Sequence, residues 1–562
     1  MSDNKVNYIL FLVLSLAIIL GYTYFFSTPP KEIVKEAQKV QDKTGNVPKS
    51  SPGTPTVETR DFEDAPYIES DIQDTPQGEL VTVDTPLFKG TIDTYGARML
   101  SWELKDYKLS VNGNGELVNL FMGSPPGFST LLKLKGYNIP ELIPFNVRGE
   151  RQVIVTEGTK EIVFYWDSPE GIRLKKIYEL DASSYVVKQK FEVENTGPSA
   201  IQERLDILWY GRIESKGRGE NSRTLVAMVS QDVERIRSIP DTTDEYKGEV
   251  SWFGYSEKYF MSIFLPETGA ETTLRLSPTD REGVMRTVFT YPPETIPAGQ
   301  SSIKNWEVYL GPLEYDFIKP AGYNLSETLN YGWFGFISRP LLDFLEWLNR
   351  YFHNYGISII VITVIIRVLF LPLTVKTMVS MKRVQIKMEK IKPKMDALKE
   401  KYKDDKAKQN SELMKLYSSH GINPLSSLGG CLPLLIQLPV FIALYDVFLH
   451  SIDLRHSSFL WISDLSEPET LFDIPFIGVP FRILPLVMGV SWFLSQKMTP
   501  MAMGGNDQMQ LQMKMMQFMP IIFTVLFWGL PSGLVLYWTV SNILSIGQQI
   551  YVNRKVLSSK GG

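Results

Sequence analysis

The sequence predicts a multidomain membrane protein. A six-span α-helical membrane region with a cytoplasmic helical hairpin carries a large all-β domain on the opposite side of the bilayer. Three observations predict it. Apolar runs about as long as a bilayer is thick occur near residue 8, where the run is uncharged, and repeatedly after residue 355. The formal net charge of −4 hides a segregation, with 29–330 polar and on balance acidic and 331–562 apolar with basic loops. Between about 78 and 318, short β-rich runs alternate with turns.

The first apolar run, Tyr8–Phe26, follows Lys5 and is not followed by a small-residue cleavage site. Residues 1–28 are therefore expected to form an uncleaved anchor, with a cleaved signal peptide as the alternative. Residues 29–60 lack aromatics and are rich in Pro, Lys, Glu, Ser, Thr and Gly, which gives a flexible linker.

Residues 61–330 are expected to form a β-sandwich. Gln152–Thr156, Glu161–Trp166 and Tyr185–Val193 are representative strands, and alternation in the last marks a half-exposed antiparallel strand. All four histidines (His353, His420, His450, His456) and the single Cys431 lie outside this domain. That removes Ser-His-Asp and Cys-His catalysis and most zinc sites. Carboxylate pairs such as Glu203/Asp206 and Asp241/Asp244 read as solvated surface charge rather than glycosidase dyads. The aromatic cluster from Trp252 to Phe260 reads as core rather than a sugar site.

Residues 331–355 predict an amphipathic helix on the outer membrane surface, opened by a Ser338 cap before Pro340. Leu341, Phe344, Leu345, Leu348 and Phe352 share one face, and Trp333 and Trp347 add interfacial aromatics. A helix buried within the β-domain is the alternative. Five spans then occupy 356–555, at about 356–375, 428–449, 481–496, 516–530 and 532–551, with a short tail at 556–562. Between the first two of these spans, 376–424 carries thirteen Lys and Arg against six Asp and Glu, and Arg554, Lys555 and Lys560 mark the tail. The positive-inside rule places these segments in the cytoplasm and 27–355 outside.

Within 376–424, Met381, Val384, Met388, Ile391, Met395, Leu398 and Tyr402 form a heptad seam, which Pro393 is expected to kink. A second helix at about Ser411–Ser419 is expected to fold back on it. Met381, Met388, Met395, Lys382 and Arg383 are candidate residues of a cytoplasmic lid or docking arm, its lysines suited to ribosomal RNA or anionic lipid. An inert solvated hairpin is the alternative. The loop after about Lys497 repeats the methionine theme with Met498, Met501, Met503, Met509 and Met513.

The most informative single residue is Arg367, in the middle of Ile357–Pro372. A guanidinium keeps its charge in a protein, and placing it at the bilayer centre costs at least ~2.5–3.5 kcal/mol. The neighbouring spans offer Thr, Ser, Gln and Asn but no mid-span carboxylate placed to neutralise it. A wet cavity within the membrane is the expectation. Thr363 lies one turn from Arg367, and Gln437, Ser491, Ser495, Gln496, Thr524, Trp538, Ser541 and Asn542 are candidate lining or interhelix contacts.

These residues carry a resemblance. Ile362–Thr374 around Arg367, Asn423–Leu425, Gly429–Pro439, Gln496–Pro500, Phe518–Pro520 and Pro531–Trp538 together resemble the YidC family of bacterial membrane protein insertases. The anchor and outer domain resemble the family's long Gram-negative form. The resemblance implies a periplasmic β-supersandwich, an inner-membrane location with both termini cytoplasmic, and insertion of newly made proteins alone or beside the Sec translocon. It implies a substrate groove containing Arg367, Thr363, Gln437, Gln496, Tyr537 and Trp538. Expected partners are nascent membrane proteins, the Sec translocon, the ribosome and membrane lipids, with no DNA, no cofactor, no metal and no catalytic residue. A secondary transporter and a membrane-anchored carbohydrate-binding protein are the rivals; the first lacks an Asp, Glu or His relay, and the second leaves Arg367 without a purpose.

Overall fold

The computed structural model of the chain describes residues 78–558 except 112–114, 122–127, 138, 141, 214–222, 268–271, 280, 282, 330–333, 423–431, 475–477 and 499–506. The expected anchor (1–28) and linker (29–60) lie outside the described residues, as do Trp333, Cys431 and residues 499–506 of the methionine loop, Met501 and Met503 among them.

From Leu80 to Pro312 the chain is built of strands in three principal sheets. The largest has nine antiparallel strands, running edge to edge from Asp232–Ile236 through Thr224–Val229, Val250–Ser256, Phe260–Pro266, Ser301–Pro312, Val186–Asn195, Ile172–Asp181 and Thr159–Asp167 to Asn146–Arg148. A six-stranded sheet centres on Ile201–Arg212, and a five-stranded sheet on Phe88–Asp93. One hydrophobic core joins all three. The alternation read in Val186–Asn195 is present: Val187, Gln189, Phe191, Val193 and Asn195 are buried, while Lys188, Lys190, Glu192 and Glu194 face outward. The one polar side chain on the middle of the buried face is engaged through its carbonyl, because Trp306 Nε1 donates to Gln189 Oε1 at 3.0 Å. The aromatic cluster is core, with Trp252, Phe253, Tyr255, Tyr259 and Phe260 all buried.

One expectation about this domain fails. Glu203 and Asp206 are buried rather than solvated. Asp206 pairs with Arg204 at 3.1 Å and Lys133 at 3.9 Å, whereas Glu203 accepts from Ser302, with Lys304 Nζ 3.7 Å away. The reason is that both faces of Ile201–Arg212 are covered, which puts its carboxylates in the interior. Asp241 and Asp244 are exposed as expected. Lys176 is also buried, donating to the Ala97 carbonyl at 3.0 Å and lying near the rings of Phe128 and Tyr178. Burial, and then Arg98, push its amine down to about 7.

Eight α-helices follow among the described residues: α1 (Tyr315–Ala321), α2 (Gly335–Phe352), α3 (Tyr355–Lys401), α4 (Lys406–Ser419), α5 (Leu432–His450), α6 (Ile483–Met498), α7 (Asp507–Leu526) and α8 (Ser532–Ser558). One of them, α3, is long and apolar enough to cross a membrane; Gln437–His450 and Gln517–Gly529 are shorter apolar helical stretches. α8 packs against both α3 and α6, and α2 packs against α3 and α5. Their shared core includes Leu345, Ile359, Ile362, Leu444, Val447, Met488 and Leu534.

Three local readings change. α2 begins one turn before Ser338, which is buried inside it and donates to the Phe334 carbonyl at 3.1 Å instead of capping. Pro393 does not end the helix, and α3 continues for 47 residues through Pro372 and Pro393. Proline removes one helical hydrogen bond, and packing of Met388, Ile391 and Met395 on Leu413, Tyr417 and Ile422 holds the flanking turns. The returning helix α4 starts at Lys406, earlier than expected, because Asp405 Oδ1 accepts from Lys408 N at 3.0 Å and caps it.

The loop after α5 ties the strands to the helices. Ile452 is buried in the β-domain core, and Arg455 donates to the Lys108 and Leu109 carbonyls at 2.7 and 3.0 Å. Lys258 pairs with Glu467 at 2.7 Å. The same loop holds the start of α8, where Ser532 N and Gly533 N donate to the Glu467 and Leu465 carbonyls, each at 2.9 Å. Acidic groups gather at this joint. Burial first, and then Asp453, push the carboxyls of Glu314 and Glu346 up to about 7.

Candidate functional site: an unpaired guanidinium between helices

Helix lengths alone bring the polar residues to one depth. Arg367 is twelve residues into α3, Ser541 nine residues into α8, and Gln437 thirteen residues before the end of α5. At 1.5 Å per residue these are roughly 18, 14 and 20 Å from the helix ends that meet the outer loops. The three side chains converge. Arg367 Nε and Nη2 both donate to Ser541 Oγ, at 2.9 and 2.6 Å. Gln437 Nε2 donates to the same oxygen at 3.0 Å and to Tyr537 Oη at 3.2 Å.

No carboxylate forms an ion pair with Arg367 among the described residues. Asp446, the one acid in α5, lies nine residues and about 14 Å of helix further towards the outer end than Gln437. Among the described residues the guanidinium is therefore hydrogen-bonded but paired with no carboxylate. A neutral hydroxyl satisfies two of its five N–H groups, which leaves donors for water or a passing anion.

The remaining candidates divide. Tyr537 and Gln437 join the Arg367–Ser541 network. Thr363 does not: it is 0% exposed, and its hydroxyl donates to the Ile359 carbonyl at 2.5 Å. Trp538, 7% exposed, sits in an aromatic cluster with ring centroids 4.9 Å from Phe441, 5.3 Å from Phe527 and 5.5 Å from Trp492. Both are packing residues, and a shared helix face did not reveal which way each was covered. Gln496 is half-buried near the C-terminal end of α6. Asn542 donates to Ser491 at 3.2 Å and so joins α8 to α6, whereas Thr524 donates to the Pro520 carbonyl of its own helix.

In the hairpin, Met388 and Met395 are buried in its own core and are not contact residues for a partner. Met381 is half-buried, Arg383 is exposed, and Lys382 donates to Gln385 Oε1 at 3.0 Å. Sequence reading missed the outer loop. Its one local signal is a set of charges, Arg455, Asp464, Glu467 and Glu469, in the connection between two apolar runs.

An apolar helical assembly with a buried cation, joined to a large β-domain, defines the class, a membrane protein with a folded extramembrane domain. The family models agree: residues 347–559 match the 60Kd inner membrane protein family and residues 80–344 the YidC periplasmic domain. The membrane protein insertase YidC of Pelobacter propionicus is 36% identical over 556 residues, covering 96% of this chain and 98% of that protein. The namesake from Syntrophus aciditrophicus is 35% identical over 563 residues, covering 97% and 99%. The chain belongs to the YidC family of membrane protein insertases, a non-enzymatic family. A galactose mutarotase-like protein from Lactobacillus casei aligns with 41% of the chain at 12% identity, with a TM-score of 0.29, too low to bear on its chemistry.

Proposed function

We propose that this insertase works through a hydrated groove whose electrostatic centre is Arg367, formed where α3, α5 and α8 meet. In this reading α3, α5, α6, α7 and α8 cross the inner membrane, and with the N-terminal anchor they make six spans with both termini cytoplasmic. Apolar exposure supports the spans: Val368 and Leu369 on α3 are 61% and 71% exposed, Val490 on α6 62%, and Val525 on α7 71%. A water-facing protein would not leave such stripes uncovered on several helices.

The observation that carries the mechanism is the pairing of Arg367 with a hydroxyl instead of a carboxylate. An acidic residue preceding an incoming hydrophobic segment is drawn to the free face of the guanidinium, which shortens its path through hydrocarbon. The hydrophobic segment then leaves sideways into lipid, stabilised by ~25 cal/mol per Å² of apolar surface removed from water. The membrane potential adds ~2.3 kcal/mol per charge per 100 mV for an acidic residue moving outward. No covalent bond changes. The basic hairpin of α3 and α4 serves as a cytoplasmic cover and as a docking arm for the ribosome and lipid, and the Sec translocon is a second partner on some substrates. Of the candidate residues, Arg367, Gln437 and Tyr537, with Ser541, form the groove centre, and Gln496 lies towards its cytoplasmic end.

Paired substrates that differ only in acidic residues within the translocated segment test this reading, with insertion followed by protease protection. Arg367→Ala is expected to impair the acidic substrate at least tenfold more than the neutral one, and Arg367→Lys to retain most insertion. Equal loss on both substrates would remove electrostatic attraction from the mechanism.

A further inference from the structure

The outer loop between α5 and α6 carries a second set of exposed apolar groups, arranged as two hairpin tips. In the first, Phe459 N donates to the Ile462 carbonyl at 2.9 Å and Ile462 N to the Phe459 carbonyl at 2.8 Å. This leaves Leu460 and Trp461 at the turn. Leu460 is 75% exposed and sits at φ 52°, a left-handed backbone that costs a leucine roughly 1 kcal/mol or more. A large apolar side chain is thus held outward at an energetic cost, the reverse of what a turn in water selects. Trp461 beside it is half-exposed, and its Nε1 donates to Glu469 Oε1 at 2.5 Å.

In the second tip, Phe472–Asp473 pairs with Pro480–Phe481, and the rings of Phe472 and Phe481 stack with centroids 5.1 Å apart. Phe472 is 55% exposed, and Leu471 and Val479 are exposed beside it. Both tips are fixed to the same place. Glu469 Oε2 accepts from Leu484 N at 2.6 Å, in the first turn of α6, and Arg482, directly before α6, donates to the Trp528 carbonyl. From there the exposed positions Ile483, Leu486, Val487, Val490 and Leu494 descend α6 at helical spacing. The apolar surface of the tips therefore continues into the outward stripe of a helix.

We infer that the Leu460–Trp461 turn and the strand pair Phe472–Asp473 with Pro480–Phe481 are seated in the outer leaflet of the membrane, at the boundary of headgroups and acyl chains. Continuity with the α6 stripe selects lipid as the occupant, and Trp461, apolar with its N–H turned to a carboxylate, has the amphipathic form that suits that boundary. The nearby charges fit the same depth: Asp473 is exposed, and Glu469 and Arg482 are engaged with Trp461, Leu484 and Trp528. The outer loop then acts as a float that sets how deeply α6 sits. This inference rests on the reading that α6 spans the membrane.

Spin labels in the full-length protein, reconstituted in liposomes in a Cys431→Ser background, test both levels separately. The labelled variants are Leu460→Cys, Phe472→Cys, Val490→Cys for the middle of α6, and Glu157→Cys as an exposed site on the β-domain. Collision rates with oxygen and with a water-soluble nickel chelate are compared. Labels at 460 and 472 are expected to show an oxygen-to-nickel ratio several-fold above that at 157 and approaching that at 490. If 490 is lipid-exposed while 460 and 472 resemble 157, the inference fails and the spanning reading stands. If 490 is itself nickel-accessible, the spanning reading fails. Labels at 460 and 472 shielded from both reagents would overturn the inference in favour of a protein contact.

Discussion

The guanidinium of Arg367 directs two donors at Ser541 Oγ, at 2.9 and 2.6 Å, and Gln437 directs a third at 3.0 Å. A hydroxyl satisfies hydrogen-bond geometry without cancelling charge, and that distinction yields a sharp test. Ser541→Asp would put a carboxylate within reach of Arg367. The resulting internal ion pair is expected to reduce insertion of substrates with acidic translocated segments about as strongly as Arg367→Ala does, while neutral substrates insert normally. Protease protection of the two substrate classes is the measurement. Normal insertion of both by a folded Ser541→Asp protein would show that the free charge is not used.

Thr363 shares a face with Arg367, yet its hydroxyl bonds the backbone of its own helix. Thr363→Val keeps the shape and removes only that bond, so it is expected to cost less than ~1 kcal/mol and leave insertion within about twofold of wild type. Detergent-solubilised thermal unfolding and an insertion assay check both parts. A large insertion defect with unchanged stability would return Thr363 to the groove.

The joint between the β-domain and α2 should respond to pH. The Glu346 carboxyl rises from its ordinary value of 4.5 to about 7, through burial first and the charge of Asp453 next. Glu314, Asp316 and Asp343 face the same cluster, and Arg350 opposes them. A raised carboxylate favours the folded state below its unfolded value, and this contribution is lost as pH climbs through about 7. The unfolding midpoint of the whole protein is expected to fall by a few degrees between about pH 5 and pH 8, and Glu346→Gln to flatten that slope. An unaltered slope in the variant would exclude Glu346 as a contributor.

Lys176 has the opposite sign. Its folded value of about 7 lies below its ordinary 10.5, so its contribution is full above 10.5 and is lost as pH falls towards 7. Across that window its share of the slope approaches ~1.4 kcal/mol per pH unit. Lys176→Met is expected to remove this share and to stabilise the β-domain more at pH about 7 than at pH about 10. Denaturant titration at the two values decides it.

The strands and apolar helices were legible in the sequence because each depends on local periodicity, as in Val186–Asn195 and Ile357–Pro372. Arg367 was legible because a fixed charge in an apolar run conflicts with its surroundings. Coverage by a distant element was not. Glu203 and Asp206 looked like surface charge, and Trp538 and Thr363 looked like lining, until neighbouring elements were seen over them. Ser541 was one polar residue among several, and only its depth relative to Arg367 and Gln437 sets it apart. The outer loop's ties involve carbonyls of Lys108 and Leu109 almost 350 positions away, a relationship no local pattern encodes.

The uninterrupted course of α3 has a mechanical consequence. Its 47 residues extend roughly 70 Å, more than twice the ~30 Å of hydrocarbon, and Arg367 sits in the portion near the start. The rest is a lever arm with the hairpin at its far end and the cation near its fulcrum. In the reading proposed above, a displacement of that distant tip is passed along a single helix to the neighbourhood of the cation, with no second element needed to carry it.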